Sequence, residues 1–262
     1  MKSEMAPPSA LDERIETAAR RLLDARRTRT RVSLADLALD AAEHAYAVQD
    51  LVVQSLGPIG GWKVGAKGTD RVPTCAPLAA AGILVSPATL ADGAWRVRGI
   101  ETELAVRFDR DLPERDPPYA RAEVEAAIGA VMAAIEVVET RLVEFPSAPA
   151  LAMLADMGAH GALVLGAAID FRPGLLDTTA LAARQWFDEG EVANNVGGNP
   201  AVDLGRVLVW LVNHCAGRGL GLRQGQVVTT GSCTGMLLAP AGSRVQGVVE
   251  GIGGCELTFN AG

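Results

Sequence analysis

The sequence predicts an α+β fold, an N-terminal helical region followed by a β-rich core. Two observations carry this. Apolar residues near the N-terminus recur at helical spacing, and strand-like segments outnumber helical ones in the C-terminal two-thirds. The strands do not alternate with long helices, so a doubly wound parallel sheet is not expected. Hydrophobic residues make up 49% of the 262-residue chain, enough for a large core. The expected division is a helical region over 1–58 and a β-rich core over 59–262.

Ser9 is placed to cap a helix running to about Arg27, with Leu11, Ile15, Ala18, Ala19, Leu22 and Leu23 as its apolar stripe. Ser33 reads as the cap of a second helix reaching Gln54 or Ser55, stopped by Gly57-Pro58. Gly60 to Ala66 reads as a short strand whose glycines admit close approach. Lys63 projects from it between Gly61 and Gly65, away from Trp62 and Val64. Gly68 to Ala80 is a proline-containing loop, Ile83 to Val85 a strand, and Ser86-Pro87 a turn.

Arg98 to Phe108 is a strand by its alternation. Ile100, Thr102, Leu104, Val106 and Phe108 share one face, and Glu101, Glu103 and Ala105 the other. Two carboxylates so close ask for a cation or for open solvent. Asp109 to Pro118 is a polar loop. Arg121 to Ala133 reads as a helix feeding a strand from Ala134 to Leu142, in which Glu136 and Glu139 point to opposite faces. Ala148 to Ala155 is a short helix, and Gly161 to Ile169 an apolar strand. Asn199 and Pro200 form a cap and first-turn pair for a helix to about Cys215. Gln226–Thr230, Arg244–Glu250 and Cys255–Phe259 are strands joined by glycine-rich turns.

A net charge of −7 argues against nucleic acid as a partner. The arginines between 20 and 31 read as a solvated helix face and its exit. No apolar run is long enough to span a bilayer, and the N-terminus lacks an apolar signal core. A cytoplasmic protein with no membrane partner is therefore expected. The four cysteines show no C-x-x-C spacing and are expected to be unbridged thiols. His44, His160 and His214 form no zinc-binding pair, so a metal would have to rest on carboxylates. Of 24 basic residues only Lys2, Lys63 and Lys67 are lysine. Lysine can give up its proton when desolvated and arginine effectively cannot, so Lys63 is either chemical or there by chance.

Gly57 to Lys67 lacks the Gly-Lys-Ser/Thr of a phosphate loop. Gly231-Ser-Cys-Thr-Gly235 fits a cysteine nucleophile elbow, but no helix start follows it. It reads better as a tight turn offering the Thr230 and Ser232 hydroxyls to an anion.

Four stretches, taken in order, resemble a known family. They are Gly61-Trp-Lys-Val-Gly65, Ile100-Glu-Thr-Glu-Leu-Ala105, Ala134-Ile-Glu-Val-Val-Glu-Thr-Arg141 and Gly225-Gln-Val-Val-Thr-Thr-Gly231. The resemblance is to the 2-keto-4-pentenoate hydratase and 4-oxalocrotonate decarboxylase group of the fumarylacetoacetate hydrolase superfamily, from about residue 10 to the end. It implies a mixed, rolled β-sheet core and a homo-oligomer. It implies Glu101, Glu103 and Glu136 as metal ligands, and three carboxylates suit Mg²⁺ or Mn²⁺. It implies Lys63 as the active-site lysine, its pKa lowered by the cation and the tight pocket, with Thr230 and Ser232 binding the substrate carboxylate. The implied substrate is a small 2-oxo or 2-hydroxy-dienoic acid from aromatic ring cleavage. The implied reaction is hydration, with 2-oxo-acid decarboxylation or carbon–carbon hydrolysis of acylpyruvates as alternatives. Two departures stand out. The family's Pro-Asp-x-Gly element reads Pro73-Thr-Cys-Ala-Pro77 here, without an acid, and its Asp-Asn pair reads Asp156-Met157. His160 is a candidate replacement proton donor, its other reading being a packed histidine. The missing acid also leaves open a 2-oxo-acid binding or activator protein without activity of its own.

Overall fold

Helix α1 (Ala10–Thr28) buries Ala18, Ala19, Leu22 and Ala25 on one side, following the 3.6-residue spacing of its stripe. The computed structural model describes residues 10–260, so the expected Ser9 cap lies outside the described residues. Ser33 opens only one 3₁₀ turn, Leu34–Asp36. Ala38 then takes a left-handed conformation, with φ of 46°, which no α-helix continues through. Helix α2 (Ala42–Leu56) therefore starts later than its sequence suggests. The Ser33 hydroxyl is spent elsewhere, donating to Glu144 Oε1 at 3.0 Å.

These helices belong to one compact unit made of the chain up to Gly57 and Thr140–Ala159. The expected division placed 140–159 in the core. The structure groups it with the helices because its polar groups are satisfied there. Val32 N–H donates to Arg141 O at 2.7 Å, and Val143 N–H to Val32 O at 3.1 Å. Gln49 donates to Leu154 O at 2.6 Å. At the centre of this unit the Arg141 Nε lies 2.5 Å from Asp156 Oδ1, both side chains buried. Arg26 of α1 packs beside this pair, so that arginine leaves the solvated face expected for the run. Burial and the neighbouring Arg141 lower its pKa to about 9.

The second unit, Pro58–Glu139 and the chain from His160, holds the strands. In order they are β1 (Ile59–Gly65), β2 (Thr74–Ala79), β3 (Ile83–Val85), β4 (Ala88–Ala91), β5 (Gly99–Phe108), β6 (Ile128–Val138), β7 (His160–Leu165), β8 (Ile169–Asp170), β9 (Ala182–Phe187), β10 (Gly190–Val196), β11 (Val227–Ser232), β12 (Leu237–Leu238), β13 (Arg244–Val249) and β14 (Gly253–Asn260). One mixed sheet runs β2-β1-β11-β5-β6-β7-β3, with β12 on β5 and β8 on β6. A second runs β10-β9-β13-β14-β4. The second packs on the even-numbered face of β5. A Cβ at Gly247 would sit 2.7 Å from Thr102 Oγ1, and the Thr102 hydroxyl donates to Gln185 Oε1 at 3.0 Å. The glycine is what lets the two sheets approach there.

Three expectations need correction here. The helix from Arg121 ends at Ala126, as α3 (Arg121–Ala126). Residues expected to extend it are already strand, because β6 pairs with β5 from Phe108↔Ile128 to Gly99↔Val138, and that ladder overrides the helix propensity of its alanines. Asn199 caps no helix. The long C-terminal helix, which follows the short α4 (Ala150–Ala155), is α5 (Leu204–Gly217), and its cap is Asp203, which accepts from Arg206 N–H. The expected loop around Pro77 contains β2, an edge strand, where a missing N–H costs little. Among the described residues no helix is long and apolar enough to cross a membrane.

Candidate metal centre

The odd-numbered face of β5 carries the site. Antiparallel pairing sets Glu101 directly opposite Glu136 of β6, and Glu103 opposite Ala134. Cross-strand partners share a face, so three carboxylates converge. One oxygen from each of Glu101, Glu103 and Glu136 lies within 4.8 Å of the others. Glu103 is 1% exposed and Glu136 fully buried, while Glu101 is partly open. Glu139 lies beyond the end of β6 and takes no part. Its Oε2 accepts from the Arg96 and Val97 amides at 2.6 and 2.9 Å.

Such crowding must show in the titration of the group. Burial, then the charge on Glu136, push Glu101 up to about 7, against the pull of Lys63. Burial and both neighbouring glutamates push Glu103 well above the usual carboxylate range. Burial also works to raise Glu136, but the Lys63 charge and the His160 hydrogen bond outweigh it and hold it at about 2.

Lys63 reaches the cluster from β1, three strands from β6 in the order β1-β11-β5-β6. In a flat sheet their backbones would stand about 14 Å apart. The Lys63 ammonium nevertheless donates to Glu136 Oε1, so the sheet is rolled with this face inward. The fall expected for the Lys63 pKa belongs to the cation-bound site; with the carboxylates alone the balance runs the other way. Burial does lower it, but Glu136, Glu101 and Glu103 together raise it above the usual value. The three carboxylates hold Lys63 as an ammonium.

His160, at the start of β7, places Nδ1 3.1 Å from the same Glu136 Oε1 and is itself buried. Glu136 Oε2 is buried with no hydrogen-bond partner. The charge itself is paired through Oε1, but a buried acceptor left unsatisfied still costs about 1–3 kcal/mol. A hard divalent cation between the glutamates satisfies it, so the donor set fits Mg²⁺ or Mn²⁺.

Of the two hydroxyls expected from β11, the structure separates one from the site. Thr230 is fully buried, and its hydroxyl donates to Leu104 O at 2.7 Å. Its place at the site is taken by Thr229, which sequence reasoning missed. The Thr229 hydroxyl donates to Glu103 Oε2. Two adjacent threonines differ only in strand face, and the pairing Thr229↔Ala105 decides which one shares the face of Glu103. Ser232 pairs with Glu103 and so lies on the site face, its Oγ buried and without a hydrogen-bond partner. Cys233 is no elbow nucleophile. Burial, helped by Glu103, pushes its thiol up to about 12, so it stays protonated. The departures noted in the sequence are real in space. The acid position of the Pro-Asp-x-Gly element is Thr74, paired with Gly65 near Lys63↔Ala76, and the Asp156 carboxylate is committed to Arg141 and Thr140.

Comparison with known proteins gives this geometry a context. A curated relative, the 2-hydroxyhexa-2,4-dienoate hydratase of Comamonas testosteroni, is 30% identical over 164 residues, which are 61% of this chain and 59% of the relative. The chain thus spans about three-fifths of that relative's length. Among solved structures, 4-oxalocrotonate decarboxylase from Pseudomonas putida G7, complexed with magnesium and adipate, superposes with a TM-score of 0.83 at 18% identity, covering 97% of this chain and 100% of that one. Maleylpyruvate hydrolase from Sphingobium sp. SYK-6, in complex with manganese(II) and pyruvate, gives 0.53 at 13% identity over 77% and 70% of the two chains. These low identities speak to the fold. The family model for the fumarylacetoacetate (FAA) hydrolase C-terminal region matches residues 75–260. That stretch contains both sheets' central strands and all three converging glutamates, and the chain belongs to the fumarylacetoacetate hydrolase family.

Proposed function

We propose that this protein is a divalent-cation-dependent hydro-lyase that adds water to a small 2-oxo or 2-hydroxy-dienoic acid of the 2-oxopent-4-enoate type, in the breakdown of aromatic compounds. The observation that carries the reading is the buried three-glutamate cluster with an ammonium, Lys63, on one of its members. The hydratase of Comamonas testosteroni supports the substrate class. Glu101, Glu103 and Glu136 would hold Mg²⁺ or Mn²⁺. Bound there, the cation supplies a Lewis acid for the carboxylate and 2-oxo oxygens of the substrate. Lys63 holds a proton at Nζ on the rim of the cluster and is the group for proton transfer. Ser232 Oγ, buried and unpartnered, is available to the substrate carboxylate. His160 steadies Glu136 through Nδ1, which fits a role in holding that ligand as well as one in proton delivery. The same reading takes the enzyme as a cytoplasmic homo-oligomer. Four buried, unbridged cysteines suit a reducing compartment, and light scattering gives the subunit number.

One observation favours decarboxylation as a second reading. Water addition needs a base for the attacking water, yet the acid position of the family's Pro-Asp-x-Gly element is Thr74 here, on the strand beside Lys63. Loss of CO₂ requires only that a proton be returned to carbon, which Lys63 can do. The deciding experiment incubates the protein and Mg²⁺ or Mn²⁺ with 2-hydroxypenta-2,4-dienoate, oxalocrotonate or an acylpyruvate and identifies the products. A hydrated product from the first supports the proposal. CO₂ from the second alone supports decarboxylation, and cleavage of the third alone a carbon–carbon hydrolase. Binding without turnover of any would make this a 2-oxo-acid binding or activator protein.

A further inference from the structure

We infer that Thr229 is a positioning residue for the metal ligand Glu103, acting from the last regular position of β11 before a bulge whose Gly231 amide joins it on one carboxylate oxygen. The inference deepens the metal-centre reading and rests on it.

The bulge is visible in the register. β11 follows β5 as far as Thr229↔Ala105, but the next pair is Ser232↔Glu103. Thr230 and Gly231 occupy the space of one residue. Gly231 adopts a φ of 93°, open to glycine at little cost, as a bulge of this kind requires. The extra residue turns the Gly231 amide out of the ladder, and it donates to Glu103 Oε2 at 3.0 Å. The Thr229 hydroxyl donates to the same oxygen. Among the described residues both hydrogen bonds to Glu103 fall on Oε2. The carboxylate is thus fixed in rotation, and its other oxygen is the one left for a cation.

The bulge is itself held. Asn199, 2% exposed, donates through Nδ2 to Thr230 O at 3.1 Å and to Gly231 O at 2.8 Å. Its Oδ1 accepts from Ala201 N–H at 2.9 Å. The residue whose sequence suggested a helix cap instead closes the bulge. Thr229 is fully buried and β-branched, so its hydroxyl has little rotational freedom. Partners of this kind orient metal ligands, and their loss typically costs about 10–100-fold in metal affinity.

The test measures Mn²⁺ binding, by the electron paramagnetic resonance signal of the unbound ion, in the wild type, Thr229→Val, Thr229→Ser and Glu101→Gln, with metal-free thermal melts alongside. Thr229→Val should weaken Mn²⁺ binding about 10–100-fold, and Thr229→Ser, which restores the hydroxyl, should return it to near the wild-type value. Should Thr229→Val not fold, Thr229→Ala carries the same test. Unchanged affinity without the hydroxyl, with binding lost in Glu101→Gln, would overturn the inference and leave the metal centre standing. A loss that serine does not restore would also overturn it, since packing and not the hydrogen bond would then be the cause. Wild-type binding in Glu101→Gln would instead bring down the metal-centre reading itself.

Discussion

Glu101 and Glu136 stand directly opposite each other across the β5–β6 ladder, a cross-strand pair of carboxylates with Glu136 buried and Glu101 partly open. Like charges so placed destabilise a sheet, and here the arrangement is retained with a third carboxylate beside it. Without metal, Glu101→Gln should therefore raise the melting temperature at pH 7.5, by a free energy of roughly 1 kcal/mol. Calorimetry on the same variant should show Mg²⁺ binding lost or strongly weakened. Unchanged Mg²⁺ affinity would remove Glu101 from the ligand set.

The pH dependence of stability follows from the same pair. Glu101 is raised from its ordinary 4.5 to about 7 in the folded protein. The folded state then binds its proton more tightly than the unfolded chain does. Its contribution to stability is complete below pH 4.5 and is lost as pH rises towards 7. Glu103 acts in the same direction. Glu136, held at about 2, has the opposite sign, and its contribution is lost only as pH falls below 4.5. Metal-free melts should thus decline between pH 5 and 7.5. Saturating Mg²⁺, at about 100 times its dissociation constant, should add about 2.7 kcal/mol and reverse the decline. A flat metal-free profile would show that the carboxylates are not crowded in solution.

Lys63 is held as an ammonium by the cluster it serves. Lys63→Met removes the proton and one cation from beside Glu136. Turnover of whichever 2-oxo acid proves to be the substrate should fall by about 10²–10⁴-fold, while Mg²⁺ still binds. Full turnover in this variant would exclude Lys63 from the chemistry.

In the helical unit, Asp156 answers two arginines, the buried Arg141 by direct contact and the half-buried Arg26 through its field. Asp156→Asn keeps the shape and removes the charge. Urea denaturation should show a loss of about 3–5 kcal/mol, as for a buried ion pair broken from one side. A loss under about 1 kcal/mol would mean that water reaches the arginines.

The alternation of Gly99–Phe108 made its strand, and the shared face of Glu101 and Glu103, legible from the residues alone. A period of two is a local property of an extended chain, and no distant partner is needed to read it. The poverty of histidine pointed to carboxylate chemistry in the same way, and the scarcity of lysine singled out Lys63. Tertiary structure decided the rest. The β5–β6 register, a long-range choice, set Glu136 against Glu101 and turned expected helix into strand. The roll of the sheet brought Lys63 across two intervening strands. The β11–β5 register chose Thr229 over Thr230, and Asn199 left the role of cap to hold the bulge that follows. Residues 140–159 joined the helices because the backbone groups of Arg141, Val143 and Leu154 find partners there. Register, curvature and bulges depend on which strands meet, and that information is spread over residues far apart in the chain.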